Sequence, residues 1–431
     1  MDNTPGVQGK KLVVIGGGAA GFFCAVNAAR MAPGLSVTIL EKSGKVLSKV
    51  RVSGGGRCNV THACFDRTDM AARYPRGGNF VKKAFHQFFT SDTISWFSER
   101  GVKLKEEPDG RMFPVSNTSQ TIIDCLQEEV RRYNVHVQLQ TEVKELALAQ
   151  PAVHQGENGG ERRRFMLVIQ VAGETRSLEA DFVCVACGGY PKAAMFSWLS
   201  ATGHRIEPPV PSLFTFNMPG NPITRLMGVS VNPVTVKIRG TRLESEGPLL
   251  ITHWGMSGPA ILKLSAWGAR ELAARNYDFS VQVNWLPGYH EQSMRLLLDQ
   301  YRGERPGQML HGKNFAGLPQ RLWNYLLEQA GVADTTRWGD LAAGARNQLV
   351  KLICVYEAAV SGKTTFKEEF VTAGGVWPAE VEAHTMMSKK LPSLYFAGEI
   401  LDVDGVTGGF NFQHAWTSAW IAAKSISEAS G

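Results

Sequence analysis

The chain has 431 residues, of which 44% are hydrophobic and 20% charged, and its formal net charge is +7. This composition predicts a soluble globular protein of two or three domains, and no apolar run reaches the roughly 18 residues that a membrane span needs. Seven irregularly spaced cysteines and an N-terminus without a signal-peptide pattern favour a cytoplasmic protein over a disulfide-stapled one. We interpret the excess positive charge as a solubility feature, and binding of an anionic partner is the alternative interpretation.

The first motif is a strand, a glycine-rich turn, a helix and a second strand within residues 11–41. Apolar runs at 12–15 and 36–40 predict buried parallel strands, and the helix between them carries small residues on one face. This combination favours a dinucleotide-binding unit over a glycine-rich structural turn. The glycines of its G-x-G-x-x-G motif are Gly16, Gly18 and Gly21.

Each residue of this turn has a physical role in binding a dinucleotide. Gly16 permits the tight turn, Gly18 lets the backbone approach a pyrophosphate, and Gly21 lets the helix pack closely on the sheet. The helix N-terminus, at Ala19 and Ala20, directs free N–H groups and a positive dipole at the phosphates.

An acidic residue and a second glycine-rich loop follow. Glu41 ends the second strand, where a carboxylate accepts hydrogen bonds from a ribose diol. Residues 53–59, SGGGRCN, offer consecutive N–H donors to an anion or to the edge of a flat ring, with a guanidinium and an amide nearby. A flexible linker is the alternative interpretation. The candidate cofactor contacts here are Lys42, Lys49, Ser53, Gly54, Gly55, Gly56, Arg57 and Asn59.

The middle of the chain contains a further buried strand, predicted at 180–186, whose closing glycine pair returns the chain toward the dinucleotide. Cys184 and Cys187 form C-x-x-C, but no second pair or thioredoxin-like helix accompanies them, so we predict neither a redox nor a metal site. The arginine run in the polar loop 154–164 is interpreted as solvated, with nucleic-acid contact as the alternative. The two glycines, Gly188 and Gly189, are further candidate cofactor contacts.

The composition changes after Pro208-Pro209. Short alternating segments at 213–218, 229–238 and 249–253 predict a β-rich domain, and residues 288–361 have a mostly helical pattern.

The C-terminal part returns to glycine-rich sequence. A strand at 394–397 leads to an acidic residue, and a glycine pair then opens a helix predicted from about 412 to 427. A helix opened by glycines after such a strand predicts the second half of the dinucleotide site. Its candidate contacts are Gly398, Glu399, Gly408, Gly409, Phe410 and Asn411.

Together these features resemble the BaiN/YhiN-like (aminoacetone-oxidase-like) family of NAD(P)/FAD-dependent oxidoreductases, among the flavoproteins with two dinucleotide-binding domains. The resemblance rests on VSGGGRCNVTH (52–62), GRMFPVS (110–116), THWGMSGPAIL (252–262), VTAGGV (371–376) and LYFAGEILDVDGVTGGFNFQHAW (394–416). It implies an α/β fold in which a Rossmann-like FAD-binding domain is interrupted by a β-rich domain and a small helical region. The implied boundaries are 1–192 and 363–431 for the FAD-binding domain, 193–287 for the β-rich substrate domain and 288–362 for the helical insert.

The resemblance also assigns roles around FAD. The first glycine turn is implied to hold the pyrophosphate, Glu41 the adenosine ribose and Glu399 the ribitol. The last helix is implied to point its N-terminus, from Gly408 to Phe412, at the pyrimidine edge of the flavin, where its dipole stabilises the anion that builds on reduction.

The sequence departs from glutathione-reductase-type relatives in two respects. It lacks their C-x-x-x-x-C redox pair after the first helix, and it lacks a second G-x-G-x-x-G for a nicotinamide dinucleotide. NAD(P)H is therefore a candidate reductant without a Rossmann module of its own.

Three functions are compatible with these features. The first is an FAD-dependent oxidoreductase acting on large-subunit ribosomal RNA, where uridine becomes dihydrouridine, because the resemblance includes this activity and phosphate contacts need positive charge. The second is hydride transfer between flavin N5 and a small-molecule amine or enone. The third is a flavin-binding sensor without turnover. No obligate protein partner and no membrane association is predicted.

Reduction of an activated double bond needs a proton as well as a hydride. Three side chains are candidate donors: Cys58 in the second glycine loop, His253 at the end of a strand, and His414 in the first turn of the last helix. For each of them a buried packing role is the alternative.

Overall fold

The computed structural model describes residues 9–149, 164–312, 314, 316–365 and 371–431. The chain forms two compact units: Met1–Pro211 together with Lys367–Gly431, and Ser212–Phe366. Each unit has a hydrophobic core of its own. Of the polar loop predicted at 154–164, all but Arg164 lies outside the described residues.

The predicted division of the chain into four segments differs from this division into two units, which does not test it, so it stays a prediction. Residues 193–211 belong to the first unit, and the helices after residue 288 belong to the second unit together with the β strands that precede them.

The first unit contains thirteen described strands, numbered here in chain order through the whole protein. They are β1 (Lys11–Ile15), β2 (Ser36–Leu40), β3 (Thr61–His62), β4 (Leu104–Glu106), β5 (Arg111–Pro114), β6 (His136–Gln138), β7 (Thr141–Leu148), β8 (Phe165–Val171), β9 (Glu174–Ala180), β10 (Phe182–Val185), β11 (Ile206–Ser212, which ends as the second unit begins), β19 (Val371–Val376) and β20 (Leu394–Phe396). Its described helices are α1 (Ala19–Met31), α2 (Ser48–Gly56), α3 (Arg67–Ala71), α4 (Gly78–Ala84), α5 (Thr90–Ser98), α6 (Gln120–Arg132), α7 (Ser197–Ser200) and α13 (Phe410–Ser430).

A five-stranded parallel sheet in the order β20-β10-β1-β2-β6 is the centre of the first unit. The inner strands β10 and β1 are almost entirely buried, as expected for a parallel sheet covered on both faces. The predicted α/β fold with a Rossmann-type sheet is therefore confirmed. Smaller antiparallel sheets accompany it, in the orders β3-β5-β4 and β7-β8-β9, and β11 pairs with β19.

The first and last helices of the unit pack against each other. One face of α13 carries the small residues Ala415, Ala419 and Ala422, which are buried, and α13 lies along α1. The Phe23 and Trp416 rings meet across this contact with centroids 5.2 Å apart. The small side chains thus let the two helices pack closely beside the sheet.

The second unit is built on a seven-stranded antiparallel sheet in the order β17-β16-β13-β14-β15-β12-β18. Its described strands are β12 (Thr215–Asn217), β13 (Ser230–Ile238), β14 (Glu244–Thr252), β15 (Gly255–Ser257), β16 (Asp278–Asn284), β17 (Tyr356–Ser361) and β18 (Lys363–Thr364). Its described helices are α8 (Pro259–Trp267), α9 (Ala269–Ala274), α10 (Glu291–Glu304), α11 (Gln320–Gln329) and α12 (Ala343–Cys354).

Two predictions about elements need correction. Residues 356–361 lie in a stretch predicted to be mostly helical, but they form the edge strand β17, in which Tyr356, Ala358 and Val360 alternate inward. The last helix begins at Phe410, earlier than the predicted residue 412, because Gly409 already serves as its N-cap.

Two properties of the described residues concern membranes and metals. None of the described helices combines the length and the apolar character needed to cross a bilayer. The described part of the chain also contains no group of three or more side chains arranged to hold a metal ion.

Candidate functional site

The turn between β1 and α1 has open space at one glycine and close contact at another. A Cβ added at Gly18 would have no atom within 4 Å, whereas a Cβ at Gly21 would overlap the carbonyl oxygen of Gly16. Ala19 begins α1, and Ala20 is buried behind it. The turn therefore has the geometry that close approach of a pyrophosphate requires, with the helix packed tightly on the sheet.

Glu41 is held in place at the end of β2. Its Oε2 accepts a hydrogen bond from the Gly17 N–H at 2.8 Å, and its Oε1 accepts one from the Ser43 N–H at 2.8 Å. The neighbouring Lys42 ammonium lies over the Tyr190 ring, 5.2 Å from its centroid. The carboxylate predicted to hold a ribose is thus directly beside the glycine turn.

The second glycine loop is the kinked end of α2. Ser53 is extended, and Gly54, Gly55 and Gly56 have φ angles of 59°, 69° and 83°. Cβ atoms at Gly55 and Gly56 would meet nothing within 4 Å, and the Cys58 N–H closes the loop on the Ser53 carbonyl at 2.9 Å. A backbone hydrogen bond therefore closes the loop, which argues against a flexible linker, and its ligand-binding role stays a prediction.

The charged residue of this loop has protein partners. Arg57 donates to Glu107 at 2.5 Å, and its guanidinium lies over the Phe113 ring at 4.0 Å. The role of Arg57 as a cofactor contact stays a prediction, and in the structure its Nη1 donates to Glu107.

Asn59 connects the same loop to the last helix. With its amide oriented to satisfy both neighbours, the side-chain oxygen accepts from the Gly409 N–H at 2.9 Å and the nitrogen donates to the Thr61 carbonyl at 3.0 Å. A Cβ at Gly409 would lie 2.5 Å from that carbonyl oxygen. Asn59 thus holds the N-terminus of α13 in place, and glycine at 409 permits the close approach of β3.

Glu399 is the centre of a second group of predicted contacts. Its Oε2 pairs with Lys49 at 2.5 Å although the two residues are 350 positions apart in sequence, and its Oε1 accepts from the Thr372 N–H at 2.9 Å. Gly188 and Gly189 lie beside the carboxylate, where added Cβ atoms would be 3.9 and 3.0 Å from its oxygens. The fold therefore brings these separately predicted residues together.

The loop that precedes α13 is fixed by side chains on both sides. Asn411 accepts from the Gly405 N–H at 2.8 Å and donates to the Gly405 carbonyl at 2.9 Å. Nδ1 of His62 lies 2.9 Å from the Gly408 carbonyl, and the His62 ring stacks on Phe410 with centroids 4.6 Å apart.

The sequence did not predict the contact between His62 and the loop before α13. Because a carbonyl only accepts, Nδ1 carries the proton in this hydrogen bond. Burial lowers the pKa of His62 below its usual value, and the nearby Arg73 guanidinium lowers it further. The hydrogen bond to Gly408 acts in the opposite direction and raises the pKa. The histidine at the end of VSGGGRCNVTH could have marked His62 as a candidate site residue. Its partner Gly408 could not be predicted, because it lies 346 positions away in sequence.

His414, a predicted proton donor, is a buried ring in α13, and its catalytic role stays a prediction. Its Nε2 lies 3.2 Å from the Gly398 carbonyl, so that nitrogen carries the proton, and its Nδ1 is buried without a partner among the described residues. Burial lowers the pKa of His414 to about 4. The ring is therefore neutral at physiological pH and presents an unpaired acceptor.

The other two predicted donors differ in exposure. Cys58 has no exposed surface, and burial raises the pKa of its thiol to about 12, which argues for the packing alternative. His253 is exposed in the second unit, directly after β14, and its ring lies edge-on to Trp254 at 4.3 Å. Its catalytic role stays a prediction.

The residues of the first unit fit FAD on two observations. The backbone at Gly18, Gly55 and Gly56 meets no neighbouring atoms on the side where a Cβ would point. Near Glu399, the Thr372 hydroxyl and His414 Nδ1 are buried polar atoms with no described partner. A hydroxyl-rich chain such as ribitol supplies the partners that such atoms need.

Comparisons with known proteins agree with this arrangement. The model of the family described as "HI0933-like protein Rossmann domain" matches residues 10–425. The chain is 32% identical to a Haemophilus influenzae protein named ribosomal RNA dihydrouridine synthase, over 96% of this chain and 98% of that protein. It is 26% identical to the 3-dehydro-bile acid delta(4,6)-reductase of Clostridium scindens, over 97% and 99%.

Among solved structures, the 3-ketosteroid delta1-dehydrogenase of Sterolibacterium denitrificans aligns with a TM-score of 0.51 at 14% identity, covering 97% of this chain and 99% of that one. At this identity the likeness concerns the fold. With the family match over nearly the whole length, the chain belongs to the HI0933-like Rossmann family of FAD-dependent oxidoreductases.

Proposed function

We propose that this protein reduces uridine to dihydrouridine in large-subunit ribosomal RNA, with FAD as its cofactor. The observation that carries the proposal is full-length similarity, at 32% identity, to a ribosomal RNA dihydrouridine synthase, against 26% to the bile acid reductase. The net charge of +7 supports a polyanionic substrate.

In this proposal the first unit holds the cofactor at three places. The turn at Gly18 and the N-terminus of α1 bind the pyrophosphate, because helix N-termini offer free N–H groups and a positive dipole. Glu41 binds the adenosine ribose. Glu399 binds the ribitol, with Lys49 compensating its charge.

The last helix positions the reactive end of the cofactor. Asn59, Asn411 and His62 fix the approach to α13, so that its N-terminus faces the pyrimidine edge of the flavin. When bound and reduced by a donor such as NAD(P)H, FAD would supply a hydride to the C5=C6 bond of uracil. The same reduction needs a proton on the other carbon, and the residue that donates it stays a prediction.

Deletion of the gene, followed by mass spectrometry of nucleosides from large-subunit ribosomal RNA, tests the proposal in cells. We expect one dihydrouridine position to be lost and then restored by the wild-type gene. Restoration by the Gly18→Val variant should fail, because that variant is designed to exclude FAD. Unaltered dihydrouridine in the deletion strain would contradict the proposal.

A small-molecule reductase is the second candidate, favoured by the full-length similarity to the bile acid reductase. Anaerobic spectra of the reduced protein separate the two functions. Reoxidation by unmodified ribosomal RNA but not by steroid enones supports the first proposal, and the opposite result supports the second.

A further inference from the structure

Residues 63–84, which we call the α3–α4 segment, lie against the loop in front of α13. The Arg76 guanidinium pairs with Asp404, and the Val406 N–H donates to the Arg73 carbonyl at 2.9 Å. The Tyr74 hydroxyl donates to the Phe410 carbonyl at 2.6 Å. The segment is thereby fixed beside the end of α13 that is proposed to face the flavin.

Several basic residues outside the predicted cofactor site could contact RNA, and their ion pairs divide them into two groups. Lys82 and Lys83, on α4, form no ion pair with any residue that the structure describes. Arg162 and Arg163 lie outside the described residues. The remaining candidates already have carboxylate partners: Arg164 with Glu179 at 3.0 Å, Lys389 with Glu382 at 3.4 Å, and Lys390 with Glu380 at 2.6 Å.

A further cation, Arg73, lies just after the C-terminal end of α3. The Arg73 side chain is exposed, and within the described part of the chain it has no carboxylate partner. Its charge reaches both His62 and Cys64, since it lowers the pKa of each. Arg73 therefore places free positive charge next to the histidine that contacts the loop before α13.

The segment carries two carboxylates, Asp66 and Asp69, against five lysine or arginine side chains, so its net charge stays positive. Asp66 uses its carboxylate to cap α3, accepting from the Thr68 and Asp69 N–H groups at 2.8 and 2.9 Å. Lys82 and Arg67 both help to lower the pKa of Asp66, and α4 packs against α3, which places Lys82 near the start of α3.

An exposed aromatic ring directly precedes Asp66, the N-cap residue of α3. Phe65 follows His62 by three residues and is 62% exposed. Unpaired cations with an exposed aromatic ring are the combination that binds single-stranded nucleic acid, because cations contact phosphates and every base can stack on a ring.

We propose that Phe65, Arg73, Lys82 and Lys83, the α3–α4 face, bind the unpaired RNA that flanks the target uridine. This inference rests on the proposed function. The cations contact backbone phosphates, and Phe65 stacks on a neighbouring base.

The test measures binding of the full-length FAD-loaded protein to an unmodified transcript of large-subunit ribosomal RNA between 50 and 200 mM salt. Each single-strand phosphate contact contributes about 0.7 to the slope of log Kd against log salt, so Lys82→Gln/Lys83→Gln should lower that slope by about 1.4. The matched control is Lys389→Gln/Lys390→Gln, which removes two paired cations and should leave the slope unchanged. FAD content should be equal in both variants.

The aromatic ring is tested separately. Phe65→Ala should weaken binding by roughly 5- to 100-fold without changing the salt slope, and Phe65→Trp should restore it, because stacking needs a ring and no charge. If the wild type binds RNA but the two double variants have equal salt slopes, the α3–α4 face does not bind the RNA, and the proposed function stands. A wild type that neither binds the transcript nor alters its uridines would overturn both.

Discussion

At the scale of residues, Gly18 and Gly21 occupy one turn, yet a side chain is expected to have opposite consequences at the two positions. Gly18→Val should leave the apoprotein stable, because its Cβ meets no atom within 4 Å, but it should abolish FAD binding. Gly21→Val should prevent folding, because its Cβ overlaps the Gly16 carbonyl. Thermal unfolding of the apoproteins and flavin absorbance of the purified proteins check both. A Gly18→Val protein that retains stoichiometric FAD would disprove the proposed pyrophosphate position.

Glu399 provides the second prediction. A hydrogen bond to a charged group is worth about 1.5–3 kcal/mol, so Glu399→Ala should weaken FAD binding by about 10- to 100-fold. Lys49→Ala, at a further candidate cofactor contact, should weaken FAD binding less, because the Lys49 side chain is 46% exposed and its ion pair with Glu399 contributes about 1 kcal/mol or less. Titration of apoprotein with FAD gives both affinities. Equal losses in the two variants would remove Glu399 from the ribitol site.

The third prediction concerns pH and His414. Its pKa is about 4 in the folded protein and about 6.5 when unfolded, so between these values the unfolded chain binds more protons. Stability should therefore be complete above pH 7 and fall as the pH drops toward 4, by about 2 kcal/mol between pH 7.5 and 5 from this group.

Urea unfolding of wild type and His414→Gln at pH 7.5 and 5 checks this expectation. His62 and His204 also have lowered pKa values, and they contribute acid sensitivity to both proteins alike. The variant should thus lose about 2 kcal/mol less than the wild type. Parallel losses would show that His414 is not buried as a neutral ring.

The types of residue in the site could be predicted from sequence, but several of their partners could not. Gly18 and Glu41 lie within one local motif, so their spacing alone predicts where they meet. Asn59 was predicted to offer an amide to a ligand, and in the structure it holds Gly409, 350 positions further along the chain. Such long-range contacts leave no local pattern.

At the scale of elements, the loop before α13 depends on one buried ion pair. The Arg76 side chain is 10% exposed and that of Asp404 is fully buried. Asp404→Ala should destabilise the protein by about 3–5 kcal/mol, because it leaves a buried guanidinium uncompensated. Replacement of both residues by leucine should cost clearly less. Urea unfolding measures both, and a double variant as unstable as the sum of the single variants would contradict this view.

Element prediction succeeded where one pattern dominated and failed where two competed. β2 was predicted with its observed bounds, because a short apolar run rich in β-branched residues strongly favours a buried strand. β17 was assigned to a helical region although its burial alternates strictly, since six residues at the end of a long helical pattern were too few to reveal period two. Its pairing with β16, which buries Val360, decided the outcome.

At the scale of the whole molecule, the first unit is assembled from both ends of the chain. Sequence showed that a glycine-rich motif returns near residue 398, and the change of composition after Pro208-Pro209 lies close to the start of the second unit at Ser212. The strand order could not be read from the sequence. It depends on β20 pairing with β10 across nearly half of the chain.

This discontinuity has a consequence for synthesis on the ribosome. The buried face of α1 and the open edge of β10 emerge early, but α13 and β20, which cover them, are translated last. At roughly 5–20 residues per second, the stretch from residue 212 to the C-terminus takes on the order of 10–40 s. Through that interval the nascent chain carries an unpaired strand edge and an uncovered helix, and such surfaces are prone to aggregation. Because the proposed FAD site takes residues from both parts of the first unit, we expect flavin to load only after α13 has been made.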